Sequence, residues 1–373
     1  MLDTDSASDT LRQCDAILAE AAEDLAAGRY RAVLGDLIRA GVVDPVPDPL
    51  AGVSNSMRDL CITLERIAGS SVELAEATQV QALAATTIRR HGSDRLWSAL
   101  GPGLRSGKIL AVNCVSEPNA GSDLAALELT AIRDGEVYRL SGYKNWAAHA
   151  ASADELIVYA RTSDAGIGGI TAFLVPAETV GVRVSAPFEQ LHGLSIPVSD
   201  IVFDNAEVPV ARVLGRRERG ALVTDILVTQ GRLGLAACAI GLGRVAYERA
   251  LAFARSTTRF GKVLIEHQSI GFTLADMATA LAAARQLLHH ACAGFDRDPL
   301  TSTLVCAQAK LFATDTAARV TADAVELLGA SAYLPGEPVE RWMRQARLLQ
   351  TLQGTNRIQR LTIAHRLSAD TGC

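Results

Sequence analysis

A change of texture at two points along the chain does most to limit its fold. Residues 10–108 read as helical, residues 109–215 as short strands, and residues 220 onward as helical again. Leu11, Ile17 and Leu18 open an amphipathic run, and Val33, Leu34, Leu37 and Ile38 repeat at three- and four-residue spacing. Met57 to about Arg90 has the same character, and Pro45, Pro47 and Pro49 mark a loop before it. The middle block holds ILAVNCV, VYRLSGYKNW, DELIVYART, ITAFLVP, VRVSAPF and DIVFDNAEVPV. These pieces are short, β-branched and divided by Gly, Asp, Asn and Pro, which points to antiparallel strands in a small barrel or sandwich. The last block has long Ala/Leu-rich stretches at 222–256, 266–296, 300–330 and 337–350, and a shorter one near 357–367, as in a helical bundle. The expected division is 1–108, 109–216 and 217–373, with a ligand crevice where the parts meet.

Composition narrows the function. The 373 residues are 49% hydrophobic and 21% charged, enough for a large core. A net charge of -5 without a basic stripe argues against nucleic acid as a partner. No stretch reaches the ~20 apolar residues of a membrane span. The acidic start, MLDTDSASDT, has no apolar core of the kind that directs secretion, so a cytoplasmic location is expected. Seven scattered cysteines, with no CxxC and no Cys/His cluster, suit reduced thiols and no metal site. Only four lysines occur (108, 144, 262 and 310), a bias read as compositional.

Six segments, taken together, carry a resemblance. They are CVSEPNAGSD (114–123), YKNW (143–146), VFDNAEVP (202–209), RFGK with EHQSIGFTLADMA (259–278), EPVERWMRQARL (337–348) and GTNRIQR (354–360). In this order and spacing the chain resembles the acyl-CoA dehydrogenase superfamily over nearly its whole length. The resemblance implies an N-terminal α domain, a central β domain and a C-terminal four-helix bundle. It implies FAD as cofactor, a homodimer or homotetramer, and an acyl thioester as substrate. The standard reaction takes a proton from Cα with a carboxylate while a hydride leaves Cβ for the flavin.

Carried over residue by residue, the resemblance places Cys114 and Ser116 at the polar edge of the flavin ring and Trp146 against its face. It gives Gln268 and Thr355 contacts with FAD, the former across a subunit interface and accompanied by Phe260 and Gly261. Ser122 falls near the thioester tail, and Arg232 matches a family arginine on the first bundle helix. A flat indole suits a flavin ring on physical grounds alone.

The departures from the pattern bear on the reaction. Gln353 stands where the catalytic glutamate is expected, and an amide cannot accept the proton that a carboxylate accepts. The alternative place for the base, just before Arg232, is Gly231. Ala148 replaces a hydroxyl residue that serves the ring, and Thr257 replaces a pyrophosphate arginine, with Arg255 and Arg259 beside it. Glu326 and the pair Gly329-Ala330 alter another pyrophosphate contact, and a carboxylate there is unfavourable unless it points away. Thr229 replaces an aspartate near pantetheine, and Leu194, Ile196 and Val198 replace polar residues of the β domain.

The expected function is therefore an FAD-dependent oxidoreductase with altered chemistry on an acyl thioester. Relatives in natural-product pathways act on thioesters held by acyl carrier proteins, and Thr229 tilts this chain toward them over CoA. Two alternatives stand beside it: a dehydrogenase whose base has moved, with Glu189, His149 and His192 as candidates by chemistry, and a weak or inactive homologue acting as a binding subunit. The electron acceptor is not indicated.

Overall fold

The computed structural model describes residues 4–46, 56–188 and 196–369. Pro47, Pro49, Glu189, His192, Leu194 and Cys373 lie outside them. The chain forms two compact units, and the division falls inside two helices. The first unit comprises Met1–Asn55, Glu76–Gln190 and Ser195–Gly231, and the second Ser56–Ala75, Leu191–Leu194 and Arg232–Cys373.

In the first unit, α1 (Thr4–Glu20), α2 (Ala22–Ala26) and α3 (Tyr30–Arg39) lead the chain, followed by α5 (Val72–His91, from Glu76 on) and α6 (Asp94–Arg105). The spacing read from the sequence is the buried stripe of α3: Val33, Leu34, Leu37 and Ile38 all face inward. Ser93 starts α6 by accepting the Leu96 amide on its side chain.

The strands of this unit are β1 (Ala111–Cys114), β2 (Thr130–Asp134), β3 (Val137–Ala148), β4 (Glu155–Arg161), β5 (Ile170–Pro176), β6 (Val182–Val184), β7 (Val198–Pro209) and β8 (Val213–Leu214). They form one sheet in the order β6-β7-β3-β2-β4-β5-β8, with β1 beside β4. The sheet is open and mixed, which corrects the expectation of antiparallel strands in a barrel or sandwich: β1 and β2 both run parallel to β4. The reason is the path of the chain. The β2–β3 hairpin reverses direction once, and β4 then crosses beyond β2 rather than pairing with β3. Alternation identifies strands but not their neighbours.

β4 and β5 are buried on both faces, as their near-continuous apolar runs require. Leu156, Val158, Phe173 and Val175 enter one core with Val112, Cys114, Leu140 and Ile201. Ile157, Tyr159, Ala172 and Leu174 enter a second with Ala84, Ile88 and Leu104. The short β2, with one buried residue in five, carried no readable alternation.

The second unit holds α4 (Met57–Ala68), α8 (Gln268–Arg297), α9 (Thr303–Leu328), α10 (Val339–Leu349), α11 (Asn356–Ala369) and the later part of α7 (Gly220–Ser256). Their bounds match the periodic stretches closely. Ala246, Ala250, Leu274, Met277, Leu281, Val320 and Leu328 form its core. Ser56 and Asp59 cap α4 reciprocally, and Glu65 of α4 meets Arg285 of α8 at 2.6 Å. By length and composition alone α7 would suffice to cross a membrane, but 94% of its most apolar 18-residue window is buried within the protein, as in a core helix.

Candidate active site

The corner after β1 carries the first group of expected residues. Cys114 is fully buried, and burial pushes its thiol up to about 12, so it packs rather than reacts. Beyond it, the amide and carbonyl of Glu117 bond those of Ala120, closing Pro118-Asn119 into a tight turn. Ser122 is exposed just past this turn.

β3 holds the corner in place. Lys144 is fully buried and donates to the Val115 carbonyl at 3.0 Å and to Glu117 at 2.7 Å. The Glu117 carboxylate also accepts the amides of Glu128 and Leu129. The Asn145 amide donates to the Ser116 carbonyl at 2.9 Å. Burial lowers the Lys144 ammonium from its ordinary value, and Glu117 opposes that effect.

One extra residue on β3 between Lys144 and Ala147 breaks its register with β7. Trp146 takes up the bulge with φ 53 and projects outward, 66% exposed. Its ring meets Phe188 at 5.8 Å. Trp146 is thus not a core residue but a flat apolar surface beside Ser116. Buried next to it, Asn145 Oδ1 has no hydrogen-bond partner among the described residues. Ala148 ends the strand, half-buried.

At the next residue, His149, the chain turns with φ 58. Its Nε2 lies 2.8 Å from Glu76 Oε2, and both side chains are buried. Of the candidates for a moved base, His149 alone is described.

The second unit presents the loop between α10 and α11. Gln353 has φ 50 and Gly354 φ 78. Fully buried Lys310 on α9 donates to the carbonyls of Gln350 and Gly354 and to Asn356 Oδ1, at 3.2, 3.0 and 2.7 Å. Gln359 donates to the Gly354 carbonyl at 2.9 Å. Burial pushes Lys310 down to about 7; Asp315 resists this and Arg232 reinforces it. Arg232 itself is buried on α7. Thr355 accepts the Ile358 amide on its hydroxyl and so caps α11.

The remaining expected residues lie on other elements. Arg259 and Lys262 flank a two-residue turn, with left-handed backbone at both Phe260 and Gly261, in the hairpin of β9 (Thr258–Arg259) and β10 (Lys262–Val263). Gln268 opens α8 and is exposed. Glu326 is exposed near the end of α9, which Gly329 terminates with φ 57. Thr229 bonds back to the Asp225 carbonyl, as a buried helical threonine does.

Lys144, Glu117, Lys310 and Glu76 were given no role from sequence. The scarcity of lysine was the available signal. Two of the four lysines are fully buried, and each gathers acceptors from one candidate site segment. A compact ammonium reaches differently oriented acceptors that a planar guanidinium cannot.

The fold, with N-terminal helices, a central sheet and C-terminal helices, is that of a class of flavin-linked oxidoreductases. Residues 113–206 match "Acyl-CoA dehydrogenase, middle domain", and residues 218–368 match "Acyl-CoA dehydrogenase, C-terminal domain". An acyl-CoA dehydrogenase of Bacillus subtilis is 34% identical over 329 residues, 88% of this chain and 86% of that protein. Cyclohexane-1-carbonyl-CoA dehydrogenase of Geobacter metallireducens is 34% identical over 322 residues, 86% of this chain and 84% of that protein. Butyryl-CoA dehydrogenase from Megasphaera elsdenii superposes with a TM-score of 0.91 at 27% identity, over 98% of this chain and 99% of the other. An FAD complex of PigA superposes with a TM-score of 0.90 at 25% identity, over 99% of each chain. The chain belongs to the acyl-CoA dehydrogenase family.

Proposed function

We propose that this protein is an FAD-dependent oxidoreductase of acyl thioesters in which proton removal does not occur at position 353. The observation that carries the reading is the bulge on β3: it turns an indole outward beside the Ser116 corner, and Lys144 and Glu117 hold that corner from below. An exposed Trp on a strained backbone, next to a buried Asn145 oxygen without a partner, fits a flat ligand with polar edges. Trp146, Ser116 and Asn145 would hold the flavin ring. Arg259, Gln268, Gly329 and Thr355 would serve the rest of FAD, with Glu326 turned away. FAD supplies a two-electron acceptor.

The chain's own residues then have limited tasks. Trp146 shields one side of the ring from water, and Ser122 and Arg232 orient the thioester and its carrier. The Gln353 amide donates or accepts a hydrogen bond but cannot retain a proton. General base catalysis is typically worth 10²–10⁴-fold, so simple desaturation run from that position would be slow by about that factor. Thr229, in place of a pantetheine-facing aspartate, favours a carrier-protein thioester over a CoA ester.

The test is the visible spectrum of the purified protein, then anaerobic reduction by acyl thioesters on CoA, pantetheine and carrier protein. Flavin absorbance that bleaches with a thioester supports the reading. A colourless protein that takes up no FAD supports the binding-subunit alternative instead.

A further inference from the structure

The geometry points to a Glu76–His149 pair as the group that takes the substrate proton, an inference that rests on the thioester oxidoreductase reading above. Four observations in the first unit converge on it. First, His149 is a non-glycine residue at φ 58, and its amide is tied to the Pro197 carbonyl at 2.7 Å, so the ring is held in an unusual backbone setting. Second, Glu76 engages Nε2 at 2.8 Å, which leaves Nδ1 as the nitrogen free to accept a proton. Third, His149 lines a cavity of about 710 Å³ whose apolar wall includes Tyr30, Leu34, Val80, Val112 and Pro197. Fourth, the chain connects each member of the pair to a segment the function needs.

On one side, His149 follows Trp146 by three residues on the same strand end. On the other, Glu76 and Gln79 lie three apart on one face of α5, and the Gln79 amide donates to the Gly231 carbonyl at 3.1 Å. Gly231 is the second position at which the family can carry a base and this chain has none. The carboxylate of the pair thus stands on the helix whose Gln79 is bonded to the position without a base.

Other polar groups surround the pair, and Arg29, Arg39 and Gln81 also line the cavity. Tyr30 of α3 sets its ring edge-on to the imidazole at 6.4 Å. Arg31 reaches the Ser152 carbonyl and Asp154, and Lys108 lines the same cavity. Glu76 is the carboxylate in contact with the ring.

In the step assigned to the pair, Nδ1 of His149 forms a bond to the proton leaving Cα. The electrons of that C–H bond become the new Cα=Cβ bond. A hydride would leave Cβ for bound oxidised flavin, which supplies the two-electron acceptor. The imidazolium formed is balanced by the Glu76 carboxylate, which acts as a positioning residue.

The test uses the full chain with bound flavin and the variants His149→Asn and Glu76→Gln. Asparagine tolerates the left-handed backbone, and glutamine keeps the size of Glu76. With a thioester that reduces the wild-type flavin, H149N should lower both the reduction rate and the exchange of the Cα hydrogen with D2O by about 10²–10⁴-fold. The flavin spectrum should be unchanged. E76Q should lower both rates by a smaller factor. ¹⁵N NMR of the wild-type protein should show the proton on Nε2, a readout that needs no turnover. If H149N reduces and exchanges at the wild-type rate, or if the proton sits on Nδ1, the pair is not the proton acceptor. If the wild-type protein is reduced by no thioester, the oxidoreductase reading itself fails.

Discussion

At the scale of single residues, the two buried lysines make the sharpest predictions. Lys144 has one carboxylate and one carbonyl for partners and no exposure. Replacing Glu117 with Gln leaves that ammonium uncompensated, which should cost about 3–5 kcal/mol of stability. The double variant K144M/E117Q should recover much of the loss, as urea titration would show. Lys310 differs because burial pushes it down to about 7. In the unfolded chain a lysine releases its proton near ~10.4. Between these values the unfolded state binds more protons, so the contribution of Lys310 to stability rises with pH across that window and is flat below it. Buried Cys114 and Cys306, both raised to about 12, act in the opposite sense above the ordinary thiol range. The difference in stability between wild type and K310M, measured at several pH values, isolates the lysine. A difference that stayed constant from neutral to alkaline pH would contradict the assignment.

At the scale of elements, short irregular segments carry the chemistry and long regular ones support it. The α10–α11 loop depends on Gly354, whose φ is 78 and where a Cβ would come within 2.9 Å of Gln359 Nε2. Gly354→Ala should cost about 1–2 kcal/mol through the backbone alone. Gly41 offers a control, with φ 72 and nothing within 4 Å of an added Cβ. If thermal melts show G354A no more destabilised than G41A, the Gln359 contact is easily displaced. The same contrast explains what was legible in advance. The helices of the last block, β3 and β7 were readable because burial imposes a period on them, and β4 and β5 because burial on both faces makes them continuous apolar runs. β2 escaped, with one buried residue in five, and so did the bulge at Trp146, because one inserted residue leaves no periodic trace. Glu76 and His149 are 73 residues apart in the chain and meet only after folding.

At the scale of the whole molecule, flavin binding should appear as stability. A ligand held only by the folded state adds about 2.7 kcal/mol at a hundredfold excess over its Kd. Added FAD should therefore raise the melting temperature, and Trp146→Ala should remove most of that rise while leaving the flavin-free melt nearly unchanged, since the ring is 66% exposed. A W146A protein that FAD stabilises as well as the wild type would place the flavin elsewhere. Order and composition of the chain alone determined the helix–strand–helix sequence, the family and the amide at position 353, because these are local or linear properties. The parallel pairing of β1 and β2 with β4, the burial of Lys144 and Lys310, and the meeting of His149 with Glu76 were decided by the tertiary structure. Each depends on which distant segment fills the space beside it, and no local pattern encodes that neighbour.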